Sequence, residues 1–243
     1  MPIILSAPHG GREPIPHVAE RSGNGIRHFN AGRDHRTDRL AERIAAQLRE
    51  RLGESPFVVI ARFERKFLDL NRPPAAAYEC RAVKPYYDAY HDALAAACRR
   101  VKAIWGRGLL LDIHGHGADA ETIYRGTANG KTVEFLLERF GLEALSGARS
   151  VLGYLERKGY RVSPAAGSDR ELRYVGGHIV QTYGSHRGTA IDAIQLEFGT
   201  RLRNESNLGR VAADVAEAIA VFAQNYLPLL AVVALPPDQS VRR

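Results

Sequence analysis

The stretch LLLDIHGHG, residues 109–117, decides how the rest of the chain is read. Three leucines begin a buried strand, yet the run breaks at Asp112, His114 and His116. Side chains alternate across a strand, so these three share one face at its end. An apolar core has little use for such a face, whereas a metal or a ligand has.

Working outward, residues 2–7 (PIILSA), 57–63 (FVVIARF) and 191–198 (IDAIQLEF) are further short apolar runs. Between the first two, TDRLAERIAAQLRERLG sets Leu40, Ile44, Leu48 and Leu52 at helical spacing, with Gly53 as a natural stop. Residues 86–105 form a second amphipathic stretch leading to the strand at 109–113. Strand, helix and strand in repetition predict an α/β sheet covered by helices. Farther along, TVEFLLERFG and ARSVLGYLERKGY read as helical, and YRVSP and GGHIVQTYG as extended. Residues 208–230, with Val211, Val215, Ile219 and Phe222, read as a long closing helix.

The 243 residues suffice for a sizeable core, and no Gly/Ser/Pro-rich linker divides them. One domain is expected over residues 1–230, followed by a frayed tail at 231–243. The formal charge of +7 favours acidic partners. The arginines are scattered, however, with no basic block, aromatic RNA-binding signature or zinc finger, so no nucleic-acid partner is expected. No apolar run approaches the roughly twenty residues of a membrane span, and MPIILSAPHGG lacks a basic leader and cleavage site. The only cysteines, Cys80 and Cys98, form no CxxC pair. They give no zinc–thiolate signal and fit a reducing, cytoplasmic compartment.

The polar residues fall where the strands end. IILSAP runs into His9, Gly10 and Gly11; VVIARF into Arg65 and DLNR; LLLDI into His114; AIQL into Glu197. Open α/β sheets collect ligands beyond the carboxyl ends of their strands, so these residues predict one assembled pocket. The glycines after His9 permit close approach to something bound. Asp112 is spaced to orient the His114 imidazole, an arrangement common around zinc. His116, one step farther along, is a candidate substrate contact or reserve ligand.

In NAGRDHRTDRL, Asp34 and Asp38 are candidate carboxylates, although Asp34 or Thr37 would equally serve as a helix cap. Glu13 is a third. Arg65, Asn71 and Arg72 form a cluster suited to a carboxylate, which guanidinium binds bidentately. Glu197 lies within an apolar run, where an unpaired carboxylate is costly and often functional.

The ordered set SAPHGG, RDHRTDRLA, RKFLDLNR, LLLDIHGHG, GGHIVQTYG and AIQLEF resembles the N-formylglutamate amidohydrolase family, from about residue 6 to residue 203. That family is similar in turn to zinc carboxypeptidases and aspartoacylase-like deacylases. The resemblance implies a single-domain, three-layer, phosphorylase/hydrolase-like α/β fold with a mixed, mostly parallel central sheet. It also implies one zinc ion, with His9 and His114 as histidine ligands and Asp112 behind His114. The carboxypeptidase pattern H-x-x-E would need an acid at position 12, where this chain has Arg12. Asp34 best matches the family's acidic segment and is taken as the third ligand over Asp38 and Glu13.

By the same resemblance the reaction is hydrolysis of an N-acyl amino acid or short peptide, N-formylglutamate being the name-bearing case. Glu197 is then the general base, Arg65 the oxyanion partner beside zinc, and Asn71 and Arg72 the holders of the substrate carboxylate. A carboxypeptidase-like or peptidoglycan amidase is the neighbouring enzymatic reading. A non-catalytic anion-binding protein, with structural histidines, is the contrasting one.

Overall fold

The computed structural model describes residues 1–229 apart from 166 and 169. Its centre is a six-stranded sheet: β1 (Ile3–Ala7), β2 (Phe57–Ile60), β3 (Gly108–Gly115), β4 (Thr122–Gly126), β5 (Arg161–Ser163) and β6 (Ile191–Phe198). The strand order is β2-β1-β3-β6-β4-β5. β2, β1, β3 and β6 are mutually parallel, and β4 lies antiparallel to β6 while pairing in parallel with β5.

The helices follow from apolar spacing and glycine stops. In α1 (Thr37–Leu52), Leu40, Ile44 and Leu48 are buried, and Gly53 ends the helix at φ 76°, donating its N–H to Arg49 O. A left-handed residue at that position suits glycine. α2 (Pro74–Ala77) is one turn, and α3 (Lys84–Trp105) ends the same way at Gly106. Short helices α4 (Glu134–Phe140), α5 (Glu143–Ser146), α6 (Val151–Arg157) and α7 (His178–Tyr183) precede the closing α8 (Glu205–Tyr226). Asn204 caps α8 by accepting from Asn207 N through its side chain.

Alternation along the strands builds two cores. Ile3, Leu5, Leu109, Leu111, Ile113, Ile194, Leu196 and Phe198 pack on one face with α1, α6 and α8. Ile4, Leu110, Ile191 and Ala193 pack on the other with α3 and α7. Three layers result, as expected of a mixed α/β sandwich. Among the described residues no helix is long and apolar enough to cross a membrane.

Several expectations are corrected. The run 57–63 is a strand only to Ile60. GGHIVQTYG contains helix α7 rather than a strand, because Ile179, Val180 and Tyr183 bury one helical face. β4 is a strand that the local sequence pattern does not predict. The closing helix spans Glu205–Tyr226, so it begins earlier and ends sooner than 208–230. Leu230 and the tail at 231–243 lie outside the described residues.

Candidate active site

Register converts the strand-end residues into ordered rows. Ser6 pairs with Asp112 and Asp112 with Gln195; His114 pairs with Glu197. All five point to the α3/α7 side, near the carboxyl ends of their strands. Beyond them lies a cavity of about 730 Å³ lined by His9, Asp34, Arg65, Asn71, Arg72, His114, His116, Gln195 and Glu197, among others.

His9, Asp34 and His114 converge, each offering one ligand atom within 4.8 Å of the others. His9 Nδ1 lies 3.5 Å and His114 Nδ1 3.2 Å from Asp34 Oδ2. The far nitrogens are occupied: His9 Nε2 donates to Asp69 Oδ1 at 2.7 Å, and His114 Nε2 to Asp112 Oδ2 at 2.8 Å. A carboxylate behind an imidazole fixes its tautomer and orients the opposite nitrogen toward a metal. His9 Nδ1 is buried and has no hydrogen-bond partner, which leaves a lone pair aimed at the cluster. Two imidazole nitrogens and one carboxylate oxygen are a donor set that fits a catalytic divalent cation such as zinc.

Electrostatics favour positive charge at this point. Burial would push His114 down, but Asp112 and Asp34 outweigh it and raise it well above the ordinary imidazole range. Burial likewise opposes ionisation of Asp34, yet the His114 and His9 imidazoles beside it hold it well below the usual carboxylate range. Asp69 is held low in the same way, against burial, by His9 and Arg65. Glu197 behaves differently: burial dominates and raises it.

Asp34 enters from the loop before α1, where its N–H donates to His9 O and its Oδ2 accepts from Gly115 N. The helix cap is elsewhere, at Arg36, so the Asp34 side chain is free for the cluster. Asp38 and Glu13 do not join it. Asp38 lies on a separate small cavity, and Glu13 is exposed in a bridge to Phe63.

Arg65 grips Asp69 through Nε (2.9 Å) and Nη2 (2.8 Å), leaving Nη1 at 3.9 Å from Asp34 Oδ1. Arg72 is half-buried, donating to His28 O while lying 3.8 Å from Asp69. Asn71 does not serve as a free carboxylate holder. Its Oδ1 accepts from Ile179 N, and its Nδ2 donates to Gln195 Oε1. Gln195 Nε2 in turn donates to Glu197 Oε1 at 2.9 Å. Asn71 therefore props the wall behind Glu197.

His116 also differs from expectation. Its Nε2 donates to Thr122 O and its Nδ1 accepts from Ala118 N. Both nitrogens are spent on backbone, so it presents only ring surface to the cavity. Asp69 and Gln195, which hold His9 and Glu197, are not singled out by the sequence pattern. Asp69 stood within the quoted RKFLDLNR and Gln195 within AIQLEF, two residues from Glu197 on the same strand face, and that spacing was the available signal.

Comparison with known proteins bears on both fold and chemistry. The chain is similar to the crystal structure of an N-formylglutamate amidohydrolase from Ralstonia eutropha, at 17% identity over 93% of this chain and 94% of that one, with a TM-score of 0.58. It is similar also to a gene product of Agrobacterium tumefaciens, at 16% identity, 92% and 90% coverage and a TM-score of 0.56. At these identities the likeness is one of fold. A search of curated proteins finds no match. The sequence carries the chemistry further, for a family model matching residues 1–82 and 76–203 makes the molecule an amide hydrolase. The chain belongs to the N-formylglutamate amidohydrolase family.

Proposed function

We propose that the protein is a zinc-dependent hydrolase of N-acyl amino acids or short N-acyl peptides, N-formylglutamate among them. The observation that carries this reading is the paired arrangement of His9 and His114. Each is backed by a carboxylate, and each turns Nδ1 toward Asp34.

His9, Asp34 and His114 would hold the ion. Zinc bound there would supply Lewis acidity, activating water and polarising the amide carbonyl. Glu197, buried and kept in place by Gln195, takes a proton from the attacking water. It returns that proton to the departing nitrogen, so one carboxylate serves both halves of the reaction. Arg65, anchored on Asp69, keeps Nη1 for negative charge developing on the carbonyl oxygen. Arg72 supplies positive charge for a substrate carboxylate at the cavity wall. Free Cys80 and Cys98 accord with work in the reducing cytoplasm.

The test is to measure metal content, then hydrolysis of a panel of N-formyl and N-acetyl amino acids and short peptides, with and without chelator. Stoichiometric zinc and chelator-sensitive release of free amine are expected. Zinc without hydrolysis of any member would redirect the assignment to another reaction.

A further inference from the structure

Residues 173–177 form one wall of the same cavity, and three kinds of anchor fix them and the residues just before them. Glu171 is 5% exposed, and its carboxylate accepts from Thr127 N (2.8 Å), Asn129 N (2.9 Å) and Arg125 Nε (3.1 Å). Its own N–H donates to Asn129 Oδ1 at 2.8 Å. The Tyr174 ring sits against Tyr124 and His116, with centroids 5.1 and 5.2 Å away. Along the backbone, Ala128 N donates to Val175 O at 2.6 Å, and Gly177 N to Gln195 Oε1 at 2.7 Å.

Between the first two anchors stands Arg173. It is exposed and lines the cavity, with its guanidinium 5.9 Å from the Tyr174 centroid. No carboxylate among the described residues pairs with it. The other cavity arginines are more occupied. Arg65 is bound to Asp69, Arg72 to His28 O, and Arg203 to Phe198 O and His116 O. Arg33, which like Arg203 has no acidic partner among the described residues, is hydrogen-bonded to His35. Arg173 thus combines a charge that has no acidic partner among the described residues with a backbone that binding need not order. Such preorganisation leaves more of the ion-pair energy for affinity.

We infer that Arg173 is a specificity-determining residue that reads a carboxylate of the substrate, the task that Asn71 is too committed to perform. The inference rests on the amide-hydrolase reading above for its reaction, though not for its binding geometry. A guanidinium on a fixed wall meets a carboxylate bidentately, which a carboxamide cannot reproduce.

The experiment compares wild type, Arg173→Ala and Arg173→Lys on three amides: N-formylglutamate, its α-carboxamide, and N-formylglutamine. Arg173→Ala is expected to raise KM for the dicarboxylate about tenfold or more, in keeping with a lost charged hydrogen bond, while kcat stays within about twofold. Arg173→Lys should recover part of the loss. On one carboxamide the variant and wild type should converge, and that substrate identifies the carboxylate being read. Zinc affinity and Tm should not move. Calorimetric binding of glutarate, which needs no turnover, should weaken alongside KM. Were wild type to hydrolyse none of the three while glutarate binding still depended on Arg173, the carboxylate subsite would stand and the assigned reaction would fall. Glutarate binding unchanged in Arg173→Ala would overturn the inference, whatever the turnover.

Discussion

At the scale of single residues, the tautomers of two histidines decide what the site can hold. Asp69 and Asp112 accept from the Nε2 atoms, so Nδ1 is the nitrogen left for a cation. Asp69→Asn can present an amide N–H to His9 Nε2 instead, which favours the tautomer protonated at Nδ1. We expect zinc affinity to fall about 10- to 100-fold, measured by competition with a chromophoric chelator. Glu197→Gln should leave that affinity within a few-fold while turnover drops by about 10²- to 10⁴-fold, as loss of the proposed general base implies. Retained turnover would remove Glu197 from its assigned role. The strand-end histidines and Glu197 were legible because each interrupts an apolar run. Asp69 was not, since DLNR draws the eye to its cation, and nothing local says that its carboxylate reaches His9 sixty residues away.

At the scale of elements, the errors have physical causes. GGHIVQTYG is rich in β-branched and aromatic residues, which bias a reading toward a strand. Its fate as α7 is settled by tertiary burial of Ile179, Val180 and Tyr183. TIYRG escaped notice because Arg125 interrupts it, although Arg125 is 1% exposed and ion-paired with Glu171. The long helices α1, α3 and α8 were legible, since 3.6-residue spacing over many turns leaves little ambiguity.

Where β6 meets α4 there is a further consequence. Asp192 accepts from Leu136 N at the helix start, and burial pushes its carboxyl up to about 6. A raised folded-state value means that its contribution is fully present below the unfolded value, near 4, and is lost as pH rises through about 6. The shift of roughly two units corresponds to about 3 kcal/mol. Urea unfolding should show Asp192→Asn gaining up to that amount on wild type between pH 4 and pH 8. A pH-independent difference between the two proteins would contradict this.

For the whole molecule, the sheet order explains why distant segments meet. β1, β3 and β6 are adjacent and parallel, so His9, His114 and Glu197 emerge at one edge although residues 9 and 197 lie far apart in sequence. The three-layer plan was legible from alternating strands and helices. The reversal of β4 was not, because pairing direction is decided by contacts rather than by local pattern. The net charge of +7 acts at this scale too. For an acidic substrate, kcat/KM should decline several-fold between about 10 mM and 500 mM salt, chiefly through KM, as screening shortens the reach of the basic surface. A neutral carboxamide should show a much flatter profile.

The contact chain behind His114 continues past its carboxylate. Asp112 Oδ1 accepts from Ser6 Oγ at 2.7 Å, and Ser6 Oγ lies 2.8 Å from the Tyr90 hydroxyl on α3. We expect occupancy of the candidate metal site to be felt one layer away, on α3. Stripping the protein with chelator should quicken amide deuterium uptake in the helical turn around Tyr90, and a Tyr90→Phe protein should lose that coupling.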